Sequence, residues 1–146
     1  MKLICDNISG WGCLDFQDAA IFFSYTTDFA QDVLFAAIHS LKNDTPFCIK
    51  MDGESKGEYI LISDDYDAYL LYDSEFRKEM FTLEKDNDKS SLIEEIIDEI
   101  ENNIHDWVMF PFESDEYNTD QIRARESVFR RDINYIRFLL NKNRHF

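Results

Sequence analysis

The chain has 146 residues and 17.4 kDa, the size of one domain, and carries 30 acids against 15 Lys and Arg for a formal net charge of −15. With 45% hydrophobic and 15% aromatic residues it stands outside the disordered acidic class and has enough apolar material for a core. No apolar run is long enough to span a membrane, the opening "MKLICDNISGWGCLDF" lacks a signal-peptide layout, and so negative a surface opposes nucleic acid and anionic lipid.

Four Gly and two Pro leave no linker, no repeat appears, and residues 1–146 read as a single domain with a cytoplasmic location as the expectation. At the start, "MKLIC" fits an edge strand, whereas "DAAIFFSY" fits helix or strand equally. The spacing predicts a first helix in "TDFAQDVLFAAIHSLKN": Asp28 and Gln31 stand at capping-box spacing, and Phe29, Val33, Ala37 and Leu41 share a face that Leu34 and Ile38 widen.

From Phe47 to Leu83 the pattern changes to short apolar runs between turn residues. "FCIKMD", "EYILIS", "AYLLYD" and "FRKEMFTL" predict a four-stranded antiparallel meander, its first pair joined by "GESKG". "EYILIS" is apolar on both faces and is expected to be central; Lys78 and Glu79 mark the last strand as more exposed.

"SSLIEEIIDEIENNIHDW" predicts a second helix, with a capping box from Ser91 and Glu94 and an apolar stripe of Ile93, Ile97, Ile100 and Ile104 beside Leu92 and Ile96. "WVMFPF" then reads as a buried strand or extended segment stopped by Pro111. A long third helix is expected over residues 120 to about 142, with Ile122, Phe129, Ile133, Ile136 and Leu140 inward. The fold class expected is therefore α+β, a four-stranded antiparallel meander packed by about three helices, the last one long.

Charge is divided along the chain: residues 1–120 hold 28 acids and 8 bases, a net of −20, and residues 121–146 hold 2 acids and 7 bases, a net of +5. On the second helix Glu94 and Asp98, and Glu95 and Glu99, are like charges one turn apart, each pair costing a few tenths of a kcal/mol. Arg123, Arg130, Arg137 and Arg144 recur every seven residues and form a stripe on the last helix. The stripe is expected to pack along the acidic body, with nucleic-acid contact and self-association as the other readings.

The densest acidic cluster is "SDDYDAYLLYD", residues 63–73. Asp64, Asp65 and Asp67 at a strand connection fit three roles: turn aspartates that satisfy backbone donors, a cation site, or a partner-facing patch in which Tyr66 and Tyr69 supply contact area. A calcium loop is disfavoured, since the stretch has neither a glycine at the turn nor a bidentate glutamate at the required spacing. A second cluster, "ESDEY", places Glu113, Asp115, Glu116 and Tyr117 in the loop before the last helix. These two loop clusters are the expected partner-binding residues. Reversal of Asp64, Asp65 and Asp67 to lysine is expected to weaken binding and leave the fold intact.

Catalytic signals are sparse. His39, His105 and His145 stand apart without HExxH spacing, and neither a GxSxG elbow nor a glycine-rich phosphate loop occurs. Cys5, Cys13 and Cys48 make an odd set without CxxC and read as free thiols. We therefore assign no catalytic, metal or cofactor residues, and the chain reads as a non-enzyme.

A small chain with acidic clusters "SDDYD", "EEIIDEIE" and "ESDEY", many aromatics and no catalytic signature resembles the immunity proteins of bacterial toxin systems, including contact-dependent growth inhibition and related polymorphic toxins. The resemblance covers overall character. It implies binding and neutralisation of a cognate basic toxin, commonly a nuclease domain. The alternative is a phage or bacterial regulator that mimics DNA and occupies a nucleic-acid-binding enzyme.

Overall fold

The computed structural model describes residues 1–6, 9–16, 19–25, 28–83, 88–112 and 118–145. Three strands come first: β1 (Lys2–Asp6), β2 (Trp11–Asp15) and β3 (Ala20–Ser24), an antiparallel sheet in that order. The edge strand expected at "MKLIC" is β1, and the ambiguous "DAAIFFSY" supplies β3. Helix α1 (Phe29–Asn43) leads into the second antiparallel sheet: β4 (Phe47–Asp52), β5 (Glu58–Ser63), β6 (Ala68–Asp73) and β7 (Lys78–Leu83). A 3-10 turn at Glu54–Lys56 joins β4 to β5. Then follow α2 (Lys89–Asn102), the short α3 (Ile104–Met109) and the 26-residue α4 (Thr119–Arg144).

The meander is as expected, with β5 between β4 and β6. The rest of the architecture is larger than the sequence reading: a second sheet precedes it, and the described residues form four helices. "WVMFPF" is the main correction. Trp107 and Val108 lie in α3, fully buried, and Phe110 follows at its end. The run "WVMFPF" holds no polar residue, and His105 and Asp106, which give α3 its exposed polar side, fall before it, so the run by itself imitates a strand.

A single core connects these elements. The inner face of the meander buries Phe47, Ile49, Met51, Leu61, Ala68, Leu70 and Leu83. Helix α1 adds the predicted stripe Phe29, Val33, Ala37 and Leu41, and α2 adds Ile93, Ile97 and Ile100 with Leu92 and Ile96. Ile104, the last residue of the expected α2 stripe, opens α3 instead. Helix α4 contributes Phe129, Ile133, Ile136 and Leu140 and packs against α1, α2 and α3. An aromatic cluster sits between the sheets and helices: Phe23 stacks on Phe29 at 4.2 Å, and Trp107 lies 5.4 Å from Phe29 and 5.2 Å from Phe110. Gly12 makes room for it. A β-carbon at this position on β2 would collide with the Phe23 ring.

Two helix starts differ from expectation. Asp28 precedes α1 but makes no side-chain cap bond; its Oδ2 accepts from Arg125 at 2.9 Å. Arg125 also donates to the Val108 carbonyl and lies over the Phe112 and Phe129 rings, tying α1, α3 and α4 together. For α2 the cap is Asp88, which accepts from the Ser91 N–H at 3.2 Å, and the expected Ser91 and Glu94 box does not form. Helix α4 starts on a reciprocal capping box between Asn118 and Gln121.

Candidate interaction surface

The β5–β6 turn gathers one of the two predicted clusters. Asp64 Oδ1 accepts the backbone N–H groups of Tyr66 and Asp67, each at 2.8 Å, and the Asp64 N–H donates to the Asp67 carbonyl. This is an Asx turn, in which the carboxylate replaces a backbone acceptor. The two N–H donors hold the Asp64 carboxyl below the ordinary Asp range. Its carbonyl also receives the N–H of Lys89, fixing the start of α2 on the turn.

Asp65 is engaged as well. Lys89 is only 5% exposed, and its ammonium contacts Asp65 at 3.4 Å, Asp44 at 3.1 Å and the Thr45 carbonyl at 3.2 Å. Asp44 is the left-handed cap of α1, at φ 52°. Lys89 thus binds together the end of α1, the β5–β6 turn and the beginning of α2. Asp64 and Asp65 therefore hold the fold, and lysine at either position removes an acceptor or crowds a buried cation. Tyr66 and Asp67 remain at the tip, Tyr66 at 84% exposed. Tyr69 OH donates to Asp67 Oδ2 at 3.5 Å, and the negative charge of Asp67 raises the phenol pKa above its usual value. Glu113, Asp115, Glu116 and Tyr117 lie outside the described residues.

Register carries the site beyond the turn. Tyr69 pairs with Ile62 on β5 and Thr82 on β7, and Ile62 with Cys48 on β4. In the next row on that face, Ile60 pairs with Lys50 and Leu71, and Leu71 with Met80. Strand alternation puts these side chains opposite the core-facing set. Ile60, Ile62, Tyr69 and Leu71 are half-buried among themselves, while Met80 is 67% exposed. The last row is ionic, with Lys50 2.8 Å from Glu58 and Lys78 3.6 Å from Asp73. The outer face of the meander thus runs from an acidic, tyrosine-bearing turn, across an apolar centre, to a mixed-charge end.

Sequence reasoning missed the apolar centre, although its signal was present. The doubly apolar "EYILIS" identified a central strand correctly, but one of its two apolar faces is surface. A second patch was also missed. Phe35 on α1 and Phe138 on α4 are 56% and 59% exposed, and a groove of about 500 Å3 between these helices is lined by Phe35, Ile38, His39, Lys42, Asn43, Arg131 and Asp132.

The arginine stripe is largely internal to the molecule. Arg137 bonds Asp98 at 2.7 Å and also Glu101, Arg144 bonds Glu94, and Arg130 pairs with Glu126 of its own helix. Arg123 is exposed. The like charges on α2 are thereby partly compensated by α4. His39 and His105 lie on different helices, and among the described residues no three His, Cys, Asp or Glu converge as a metal site. No helix among them is long and apolar enough to cross a membrane. No protein-family model, curated protein or solved structure matches the chain.

Proposed function

We propose that the protein is an inhibitor of the immunity-protein kind, which binds a basic bacterial toxin, of which a nuclease domain is the commonest sort, and neutralises it. The observation that carries this reading is the outer face of the meander: apolar Ile60, Ile62, Leu71 and Met80 beside Tyr66, Asp67 and Tyr69 on a chain of net charge −15. Long-range attraction brings a cationic partner to such a surface, and the desolvated centre then holds it. Lys50, Lys78, Lys89, Arg125, Arg137 and Arg144 are already paired with the chain's own carboxylates, and an excess of 15 negative charges still stands for a partner to meet.

DNA mimicry is the second reading, and it requires a row of free carboxylates. The best row, on α2, is occupied at Glu94, Asp98 and Glu101 by the arginines of α4. That occupation favours a protein toxin as the partner.

Co-expression with the product of the neighbouring reading frame tests the proposal. The expected result is a neighbour that is toxic alone, copurifies with this chain, and binds less tightly as salt rises. Leu71→Lys and Asp67→Lys should each abolish rescue while the protein stays folded. Rescue unaffected by both substitutions would move the interface off this face, and inhibition of several unrelated DNA-binding proteins would favour mimicry.

A further inference from the structure

We infer that the free edge of β7 pairs with the same strand of a second copy, making a two-fold dimer with a continuous eight-stranded sheet. The other edge strands each have a neighbouring element among the described residues. Helices α2 and α3 pack on β1, where Glu99 accepts the Leu3 N–H at 3.2 Å, and β3 lies against β4. Strand β7 has β6 on one side and, among the described residues, no strand on the other.

The register identifies the unpaired groups. At the β6–β7 turn the Ser74 N–H donates to the Arg77 carbonyl, and antiparallel ladders alternate bonded and non-bonded pairs. Given the pairing of Asp73 with Lys78, residues 79, 81 and 83 bond to β6, so the N–H and C=O of Lys78, Met80 and Thr82 point away from it. Open edges in monomers are commonly blunted by proline, bulges or several charges. This one has no proline, pairs with β6 without a bulge, and displays Met80 and Phe81 at 67% and 46% exposed.

A second copy fits because the edge complements itself. Centred on Met80, antiparallel pairing sets Met80 against Met80 and Lys78 against Thr82 of the other copy, so no like charges face each other. The strand has one Lys and one Glu, and the cations beside it are locally balanced, Lys78 by Asp73 and Arg77 by Glu79. An acidic molecule meets its own copy with least repulsion at such a neutral strip. A contact of this length falls below the roughly 1,200 Å2 of a standard specific interface, so the dimer is weak.

Sedimentation equilibrium of the full chain, up to about 1 mM protein, tests this. The mass should rise from 17.4 kDa toward twice that value. Salt should strengthen the association, because it screens the repulsion between two acidic bodies. Met80→Pro deletes an outward N–H without touching the β6 ladder, and Met80→Lys opposes two ammonium groups across the axis; each should restore the monomer. If the proline variant does not fold, the lysine variant, altered only at an exposed side chain, decides. A monomer at every concentration and salt, a dimer weakened by salt, or a dimer indifferent to Met80→Lys would each overturn the inference.

Discussion

Neutralising both carboxylates around Lys89, as Asp44→Asn with Asp65→Asn, isolates the energetic role of the clamp. Asparagine tolerates the left-handed conformation of residue 44, so the backbone is retained. The ammonium then keeps only neutral oxygen acceptors, the Thr45 carbonyl among them, and no counter-charge, in a side chain 6% exposed. Removing the partner of a buried charge costs about 3–5 kcal/mol. Here the carboxylates are 90% and 66% exposed, so water screens them and the expected loss is lower, about 2 kcal/mol. For a chain of this size that corresponds to a drop of roughly 4–8 °C in Tm. Thermal melts and urea titrations of the double variant, Lys89→Met and the triple combination complete the cycle. The triple variant should be more stable than the double, because no buried charge remains to be stranded. Equal stability of the double variant and the parent would refute the clamp, and a triple variant as unstable as the double would show that packing of the lysine stem is the relevant term.

The remaining predictions concern other charged groups and the thiols. Asp64 has a depressed carboxyl pKa in the fold, so its contribution is complete above the unfolded value near pH 3.9 and is lost as pH falls through the lower folded value; Asp64→Ala should flatten the acid limb of a stability-versus-pH curve. Arg137→Met should destabilise by about 1 kcal/mol at low ionic strength, as Asp98 and Glu101 lose their shared cation, and the difference should shrink at high salt in paired denaturation curves. Burial, with Asp106 and Asp6 adding to it, pushes the Cys5 thiol up to about 12, whereas Cys48 is exposed. Mass spectrometry after brief alkylation near pH 8 should find Cys48 modified ahead of Cys5.

Sequence legibility followed the length and regularity of each pattern. The stripes of α1, α2 and α4 and the alternation of β4 to β6 are long enough for burial to write a clear period. Strand β2 was hidden because Gly12 replaces a core side chain, its place taken by the Phe23 ring from the neighbouring strand. Caps were misplaced because they depend on tertiary partners: Asp28 answers to Arg125, 97 residues away, and Asp88 is set by the anchoring of Lys89 on Asp64. The candidate surface was half legible. Carboxylates and tyrosines in one turn are visible in a string of letters, but which aspartates are committed to Lys89 is decided by the approach of α1 and α2.

Trp107 gives the molecule an optical signature. Its indole is fully buried among Phe23, Phe29 and Phe110, with no hydrogen-bond acceptor for Nε1 among the described residues. An excited indole emits at shorter wavelength when no mobile water can relax around its enlarged dipole. The native protein should therefore show a blue-shifted component from this ring, alongside redder light from the half-buried Trp11. Because the Trp107 pocket is built jointly by β3, α1 and α3, loss of that component reports separation of the first sheet from the helices.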